Sequence, residues 1–148
     1  LGIYGGSNGG LLVGVAFTQR PDLYEAVVSA VPLLDMNRYN KLLAGASWMA
    51  EYGNPDIPEE WEFIKEYSPY HNLEKGKDYP EVFFTTSTRD DRVHPGHARK
   101  MVAKMSDMGY DIYYFENTEG GHAGASTNQQ RARMYALIYS YLQLKLVN

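Results

Sequence analysis

Short apolar runs alternate along this chain of 148 residues with longer stretches in which apolar residues recur at helical spacing. The short runs, which the pattern predicts to be buried parallel strands, cover residues 1–4, 26–31, 82–86 and 112–115. The helical spacing predicts a helix that begins at Asn8 and ends before Pro21, and further helices at 58–66, 96–108 and 129–146, the last of them amphipathic. This alternation favours the α/β class, with a doubly wound and mostly parallel sheet.

The stretch from residue 35 to residue 70 lacks this regular alternation. It carries turn signals at Gly53-Asn54-Pro55 and at Ser68-Pro69, on either side of its one predicted helix. No internal repeat, low-complexity segment or linker divides the chain, so we expect a single domain. Because its first residues already have the pattern of a strand, we expect the chain to be a portion of a longer domain. The irregular stretch is a candidate for the wall of a binding cleft.

Composition and charge exclude several classes of function. The net charge is −4 at pH 7 with both signs interspersed, which argues against nucleic acid as a partner. No apolar run approaches the roughly 18 residues that a membrane-spanning helix needs. The chain has no cysteine, which excludes disulfides and thiol chemistry and leaves the compartment open. Its 13 tyrosines suit either a cleft lined with aromatic rings or an ordinary core.

The first candidate for chemistry is a serine between glycines, directly after the first predicted strand, in the segment Gly5-Gly6-Ser7-Asn8-Gly9-Gly10. Many serine hydrolases present their nucleophile on such a strand-to-helix turn, which strains the backbone at the serine. Gly5 and Gly9 are expected to let the neighbouring chain pass without a Cβ clash. The amide of Asn8, at the positive end of the helix dipole, would point toward a developing oxyanion. A glycine-rich turn without chemical meaning is the alternative.

Two further candidates follow the third and fourth predicted strands. Asp90 and Asp91 come after the third strand, and His122 follows the fourth within a glycine-rich loop. Open parallel sheets place their sites at the carboxyl ends of strands, so these residues and Ser7 would meet at one edge. The order Ser, Asp, His is that of the α/β-hydrolase catalytic triad. The alternatives are a solvated turn or helix cap for the Asp pair and an ordinary loop for the histidine.

A metal site is a weaker hypothesis for the same region. Oxygen and imidazole donors crowd into one short segment that contains Asp90, Asp91, His94 and His97. Their spacing matches no common metal site, and Pro95 interrupts the stretch between the two histidines. The sequence therefore predicts neither a metal nor a cofactor. His71 has no comparable setting and is expected to be a surface or packed histidine.

The motifs in 5–10, Arg89-Asp90-Asp91-Arg92-Val93 and Gly121-His122 together resemble the catalytic domain of the prolyl oligopeptidase family of serine peptidases. The resemblance runs over nearly all 148 residues. It implies an α/β-hydrolase fold accompanied by a β-propeller, which restricts access to short peptides and excludes folded proteins. Residues 1–148 would then be the C-terminal portion of the catalytic domain, and the propeller and the first strands of the hydrolase would lie outside them.

The resemblance also assigns roles to residues of this chain. Ser7 would be the nucleophile, Asp90 the carboxylate of the triad and His122 the general base. Asn8 would give its amide to the oxyanion, and a second donor, a tyrosine hydroxyl in the family, would lie upstream. Arg92 matches a position whose side chain binds a substrate carbonyl beyond the P1 residue. A salt bridge to a nearby carboxylate is the alternative for this arginine.

The segment 46–53 is similar to the one in which prolyl oligopeptidases place a tryptophan against the substrate proline. By this resemblance Trp48, Tyr52 and Val93 would line the pocket, and a flat indole face suits a pyrrolidine ring. Relatives that cleave after Arg or Lys carry glutamates where Trp48 and Ala50 stand, which favours proline. Trp48 as an ordinary core aromatic is the alternative. The chain departs from the family at Ala123, where a glycine often follows the histidine, and the extra methyl is expected to shift the loop slightly.

The sequence thus predicts a serine endopeptidase that hydrolyses short peptides on the carboxyl side of proline through an acyl-enzyme on Ser7. An esterase or an aminopeptidase of the same fold is a second hypothesis, because fold and triad alone do not fix the substrate. A binding protein with a decayed site is the third.

Overall fold

The computed structural model describes residues 1–147, which form a four-stranded sheet with helices on both faces. The strands are β1 (Gly2–Gly6), β2 (Ala26–Ala30), β3 (Phe83–Ser87) and β4 (Tyr113–Asn117). The α-helices are α1 (Asn8–Gln19), α2 (Met49–Tyr52), α3 (Pro58–Ile64), α4 (Gly96–Asp107) and α5 (Asn128–Leu146). Each predicted strand and helix is confirmed with its ends within two residues, whereas the pattern did not predict the short α2.

All four strands run parallel, in the order β1-β2-β3-β4. Parallel neighbours need crossover connections, and α1 and α4 provide two of them. The central strand β2 is buried along its whole length, which explains why its sequence is a continuous apolar run without alternation. The predicted α/β class with a doubly wound parallel sheet is confirmed.

Alternate residues of β2 and β3 face opposite layers of helices. Val27 and Phe84 pack with residues of α1 and α4 in one hydrophobic cluster. Val28 and Phe83 point the other way and pack with residues of α5. Because side chains of a strand alternate between the faces of the sheet, five-residue strands are enough to supply both cores.

The prediction that the last helix is amphipathic is wrong. Met134, Ile138 and Tyr141 of α5 are buried against the sheet, as helical spacing requires. Large apolar side chains nevertheless lie exposed on the other sides of the helix, among them Tyr139 and Leu144. Apolar residues therefore surround α5 rather than forming one stripe. Across residues 1–147, no helix combines the length and the apolar character that crossing a membrane would require.

The irregular stretch between β2 and β3 forms a hydrophobic cluster of its own. Met36, Tyr39 and Ile64 are fully buried in it. It packs against Leu11 of α1 and against Val93, which lies in the loop between β3 and α4. The stretch is therefore attached to the two segments that leave the carboxyl ends of β1 and β3.

The hydroxyl of Tyr141 hydrogen-bonds one backbone group of β2 and another just before β3. Its hydroxyl accepts a hydrogen bond from the backbone N–H of Val27 at 2.9 Å and donates to the backbone carbonyl of Glu81 at 2.7 Å, just before β3 begins. The Tyr141→Phe substitution leaves both backbone groups unpaired, so we expect the free energy of unfolding to fall by about 1–3 kcal/mol. Chemical denaturation measures this loss, and Tyr139→Phe on the exposed side of α5 is the matched control. Equal stability of the two variants would contradict the prediction.

Candidate active site

The backbone at Ser7 is strained, in the sharp turn between β1 and α1. Ser7 has φ 59° and ψ −117°, a region that residues with a Cβ rarely occupy. Its amide donates to the carbonyl of Ala30 at 2.8 Å, and its own carbonyl accepts from the amide of Leu11 at 3.2 Å. The strained residue is thus fixed from both sides, which is typical of a backbone conformation kept for function.

Gly5 and Gly10 make this turn possible, whereas the sequence predicted this role for Gly5 and Gly9. A Cβ at Gly5 would lie 2.1 Å from the carbonyl oxygen of Gly9, and a Cβ at Gly10 would lie 2.6 Å from Cβ of Pro32. A Cβ at Gly9 would meet nothing within 4 Å. The expectation that Gly9 avoids a clash is therefore wrong, because helix α1 packs its backbone, not its side chain, against Gly5.

The side chains of Ser7, His122 and Asp90 form one continuous hydrogen-bonded chain. The distance from His122 Nε2 to Ser7 Oγ is 3.0 Å. On the other side of the ring, His122 Nδ1 lies 2.9 Å from Asp90 Oδ2 and 3.0 Å from Oδ1. An imidazole with its proton on Nδ1 donates to the carboxylate and leaves Nε2 free to accept the hydroxyl proton. This arrangement can remove a proton from Ser7 and hold the resulting imidazolium.

Asp90 is buried and held in place by its own turn. Its side chain is 0% exposed, against 11% for His122. Oδ1 of Asp90 accepts hydrogen bonds from the backbone amides of Arg92 and Val93, each at 2.9 Å. These amides keep the carboxylate oriented toward the histidine, whereas the neighbouring Asp91 is exposed. The structure thus brings the first aspartate of the pair into the site and leaves the second outside.

Glu116, near the end of β4, binds the beginning of this turn. Its carboxylate accepts from the hydroxyl of Thr88 and from the guanidinium of Arg99 on α4. The hydrogen bond from Arg99 lowers the pKa of Glu116 to about 2. Glu116 is thus a carboxylate at neutral pH and joins β4, α4 and the loop that leads to Asp90.

A cleft of about 260 Å³ opens directly above the serine. Its lining residues are Ser7, Asn8, Leu33, Trp48, Glu51, Tyr52, Arg92 and His122. Trp48 is half-buried, so one part of the ring packs in the cluster of the irregular stretch and another part faces the cleft. The predicted pocket residues Trp48, Tyr52 and Arg92 are therefore in the cleft wall, beside the hydrogen-bonded serine.

Val93 is the exception among the predicted pocket residues. It is 2% exposed and is absent from the cleft lining. Its side chain packs beneath the cleft, in the same cluster as Leu33 and Trp48. Contrary to the expectation, Val93 therefore supports the wall from behind, and the aliphatic residue that borders the cleft is Leu33, which is also 2% exposed.

The ion pairs and hydrogen bonds that Arg92 and Asn8 form, or do not form, bear on the roles predicted for them. Within residues 1–147 the side chain of Arg92 forms no salt bridge, which disfavours the alternative of an ion pair. Asn8 is the first residue of α1, so its N–H lacks an acceptor within the helix. Its side-chain oxygen accepts a hydrogen bond of 2.5 Å from the hydroxyl of Tyr52. Tyr52 thereby joins the cleft wall to the residue after the serine.

The other histidines take part in packing and backbone hydrogen bonds. Nδ1 of His94 accepts from the amide of Gly96 at 2.9 Å. Nδ1 of His97 accepts from the amide of Asp35 at 3.1 Å, and burial lowers the pKa of His97 to about 4. In the part of the chain that the structure describes, no group of three His, Asp or Glu residues is placed to hold a metal ion. His71 is packed edge-on against Trp61, with ring centroids 5.0 Å apart.

Three larger depressions lie elsewhere on the surface. One, of about 430 Å³, is mostly polar and includes Asp22 and Lys145. Another, of about 390 Å³, is an aromatic groove between β4 and α5 that includes Tyr113 and Leu137. The third, of about 350 Å³, includes Asp111. None of the three contains Ser7 or a histidine. The smaller cleft is the candidate active site, because it contains Ser7 and His122, which form one hydrogen-bonded chain with the buried carboxylate of Asp90.

Sequence reasoning did not identify Leu33 and Glu51, which also line the cleft. Leu33 comes three residues after β2, so its position at the carboxyl edge of the sheet was a usable signal. Glu51 lies on the unpredicted helix α2 and offered no such signal. Ala123, the departure from the family pattern, is exposed and leaves His122 within hydrogen-bond distance of both its partners. The expected shift of the loop therefore does not break the chain of hydrogen bonds.

A parallel sheet covered on both faces, a strained serine turn after β1 and a Ser–His–Asp chain at the carboxyl edge define an α/β-hydrolase. The family model described as prolyl oligopeptidase family matches residues 1–148. An uncharacterized peptidase of Sinorhizobium fredii is 60% identical over 148 residues, which are 100% of this chain and 20% of that protein. A prolyl endopeptidase of Elizabethkingia meningoseptica is 44% identical over 134 residues, 87% of this chain and 19% of that protein.

A solved structure of a post-proline cleaving enzyme from Rickettsia typhi superposes with a TM-score of 0.90 at 44% identity. The match covers 99% of this chain and 22% of that one. The chain belongs to the prolyl oligopeptidase family of serine peptidases. It spans about a fifth of the length of these relatives.

The two glycines beside the serine provide a matched pair of variants. Gly5→Ala puts a methyl group against the backbone of α1, so we expect the free energy of unfolding to fall by about 2 kcal/mol or more. Gly9→Ala meets open space in the first turn of a helix and should change stability by less than about 1 kcal/mol, in the stabilising direction. Denaturation of both variants, made in the complete natural protein that carries this sequence, checks the difference. A stable Gly5→Ala variant would refute the steric explanation of the turn.

Proposed function

We propose that the complete natural protein is a serine endopeptidase that hydrolyses short peptides on the carboxyl side of proline. The observation that carries the proposal is the continuous chain from Ser7 Oγ through His122 to the buried carboxylate of Asp90, with distances of 3.0 and 2.9 Å. Membership of a peptidase family supports peptides as the substrate class. An intact, fully hydrogen-bonded triad argues against a binding protein with a decayed site.

In the acylation step, His122 Nε2 accepts the proton of Ser7 Oγ while the oxygen attacks the carbonyl carbon of the scissile peptide bond. Asp90 stabilises the imidazolium that forms. The imidazolium then donates its proton to the leaving amine nitrogen, and the C–N bond breaks. The products are an ester between Ser7 and the acyl part of the peptide, and a peptide with a new amino terminus.

Deacylation repeats the same proton transfers with water in place of the serine. His122 Nε2 accepts a proton from a water molecule, whose oxygen attacks the ester carbonyl carbon. The second tetrahedral intermediate collapses when the imidazolium returns a proton to Ser7 Oγ. The peptide leaves with a new carboxyl terminus, and the enzyme is regenerated. Both steps place negative charge on the carbonyl oxygen of the substrate.

Asn8 is the proposed donor to that oxyanion. Its N–H is the first of α1, where the helix dipole adds partial positive charge. A donor fixed before the reaction is worth about 3–4 kcal/mol of transition-state stabilisation in a serine protease of another fold.

Trp48 and Tyr52 are the proposed walls of the pocket for the P1 proline. A half-buried indole offers a flat apolar face to a pyrrolidine ring, which has no N–H to satisfy. The two places where the Arg- and Lys-specific relatives carry glutamates hold Trp48 and Ala50 here, and Glu51 is the one acidic residue in the cleft lining. The relatives with activity in their names, a prolyl endopeptidase and a post-proline cleaving enzyme, support the same specificity.

Arg92 is the proposed contact to a substrate carbonyl beyond P1. Its side chain lines the cleft and forms no ion pair within residues 1–147, so its N–H groups are available to a peptide backbone. The restriction to short peptides rests on the propeller that the family resemblance implies. We propose accordingly that residues 1–148 are the C-terminal portion of a catalytic domain, with the propeller and the first strands elsewhere in the complete protein.

Ser7→Ala removes the nucleophile without changing the fold of the turn. In the complete natural protein we expect kcat/KM on a short proline-containing peptide to fall by at least about 10⁴-fold. The wild-type protein should also be labelled by a fluorophosphonate at Ser7, and the variant should not be. Peptidase activity that survives in Ser7→Ala would refute the proposed mechanism.

The P1 pocket is tested with matched short peptides that differ only at P1, with Pro, Ala or Arg. We expect wild-type kcat/KM to favour Pro, and Trp48→Leu to reduce the Pro-to-Ala ratio by about tenfold, because the flat apolar wall is lost. Trp61→Leu is the control, since this tryptophan packs on His71 outside the cleft lining. A ratio of two rate constants is independent of the fraction of folded enzyme. An unchanged ratio in Trp48→Leu would remove this residue from the pocket and leave the triad untouched.

A further inference from the structure

The side chain of Asn117, at the end of β4, hydrogen-bonds the loop that carries His122 at two places. Nδ2 of Asn117 donates to the carbonyl of Gly124 at 2.9 Å, beyond the histidine. Oδ1 of the same amide accepts from the backbone N–H of Glu119 at 3.1 Å, before the histidine. One planar group therefore fixes the loop on both sides of His122.

A second amide, that of Gln130 on α5, holds Asn117 in place. Gln130 Oε1 accepts from Asn117 Nδ2 at 3.2 Å and from the amide of Ser126 at 2.7 Å. Gln130 Nε2 donates to the carboxylate of Glu119 at 2.7 Å. Both hydrogens and the oxygen of the Asn117 amide are thus engaged, which fixes its orientation. The loop is connected through these two side chains to the rigid helix that follows it.

Two glycines of the loop leave the space that this arrangement needs. A Cβ at Gly120 would lie 2.8 Å from the carbonyl oxygen of Gly124 and 2.9 Å from Nδ2 of Asn117. Gly124 has φ +79°, in the left-handed region, and a Cβ there would lie 2.8 Å from the sulfur of Met134. The loop is therefore closely packed around the amide, and a small displacement of the amide moves the loop with it.

Asn117 also reaches the loop of the triad carboxylate. Its backbone carbonyl accepts from the amide of Thr88 at 2.9 Å, two residues before Asp90. Through its side chain and its backbone, one residue thus joins the two loops whose distance sets the contact between His122 and Asp90. A displacement of about 1 Å in a catalytic group can cost about 100-fold in rate.

We propose that Asn117, supported by Gln130, is a positioning residue that holds His122 at hydrogen-bond distance from both Ser7 and Asp90. This inference rests on the proposed function, because it concerns the proton transfers of the same triad. Asn117 touches neither the substrate cleft nor the reacting atoms. Its effect should therefore appear in the rate of the chemical step and not in substrate binding.

The test uses the complete natural protein and the proline-containing peptide already described. Asn117→Asp keeps the shape of the side chain, removes both donors and turns a carboxylate oxygen toward the oxygens of Gly124 and Gln130. We expect kcat to fall about 10- to 100-fold while KM changes by less than about threefold. The rate of fluorophosphonate labelling at Ser7 should fall in parallel. Asn128→Asp, the same chemical change at an exposed residue of α5, should retain wild-type kinetics.

A double-mutant cycle provides a second measurement if Asn117→Asp folds poorly. Gln130→Ala removes only the support of Asn117, so we expect a smaller loss of kcat, of about three- to tenfold. Once Asn117→Ala has removed the amide, adding Gln130→Ala should lower kcat little further, because the two act as one unit.

The outcomes separate this inference from the proposed function. Inactive wild-type protein that resists fluorophosphonate would overturn the proposed function. Active wild-type protein with kcat of Asn117→Asp within twofold of it would overturn the positioning role alone. A loss confined to KM or to the melting temperature, with kcat of the folded enzyme unchanged, would also overturn it. Parallel losses of kcat and of labelling rate, together with the non-additive cycle, would support it.

Discussion

The close contact between the backbones of β1 and α1 is the constraint on which the site depends. The absence of a Cβ at Gly5 lets the carbonyl of Gly9 approach the strand, and the chain must then reverse direction within the single residue Ser7. That reversal forces a positive φ on a residue with a side chain, which costs on the order of 1–3 kcal/mol. The parallel sheet holds the turn through the carbonyl of Ala30, so the fold stabilises a conformation that an isolated peptide would avoid.

The remaining two triad residues are positioned by a different means. Asp90 and His122 lie on loops, where the backbone is not fixed by a ladder, and each loop is held by polar side chains and amides instead. Glu116 and Asn117 are the last two residues of β4, and their partners are in both loops. The end of one strand thus determines the distance between the two loops. Steric packing fixes the serine, and hydrogen bonding fixes the histidine and the carboxylate.

This difference explains how much could be predicted from the sequence. The strands were predictable because burial on both faces requires apolar runs, and the helices because their apolar residues recur at helical spacing. That Ser7, Asp90 and His122 lie close together was predictable because each follows a strand of one parallel sheet. The role of Gly9 and the position of Val93 were mispredicted, because a motif gives residue types and not the direction of a Cβ. The role of Asn117 could not be predicted from the sequence, because asparagine is common in the turns that follow strands. Contacts between loops far apart in sequence are set by tertiary structure alone.

The cleft wall comes from the irregular stretch, which contains no strand. Packing connects this wall to the segments that hold Ser7 and Asp90. Its hydrophobic cluster is completed by Leu11 of α1 and by Val93, the residue whose amide binds the carboxylate of Asp90. The wall therefore packs on the same two segments that position Ser7 and Asp90. Because protein interiors are close-packed, a displaced wall residue transmits its shift to those segments. Selectivity in such a site can change through half-buried residues of the cleft wall such as Trp48, whereas a change at the buried Val93 acts on the wall and on the turn of Asp90 together.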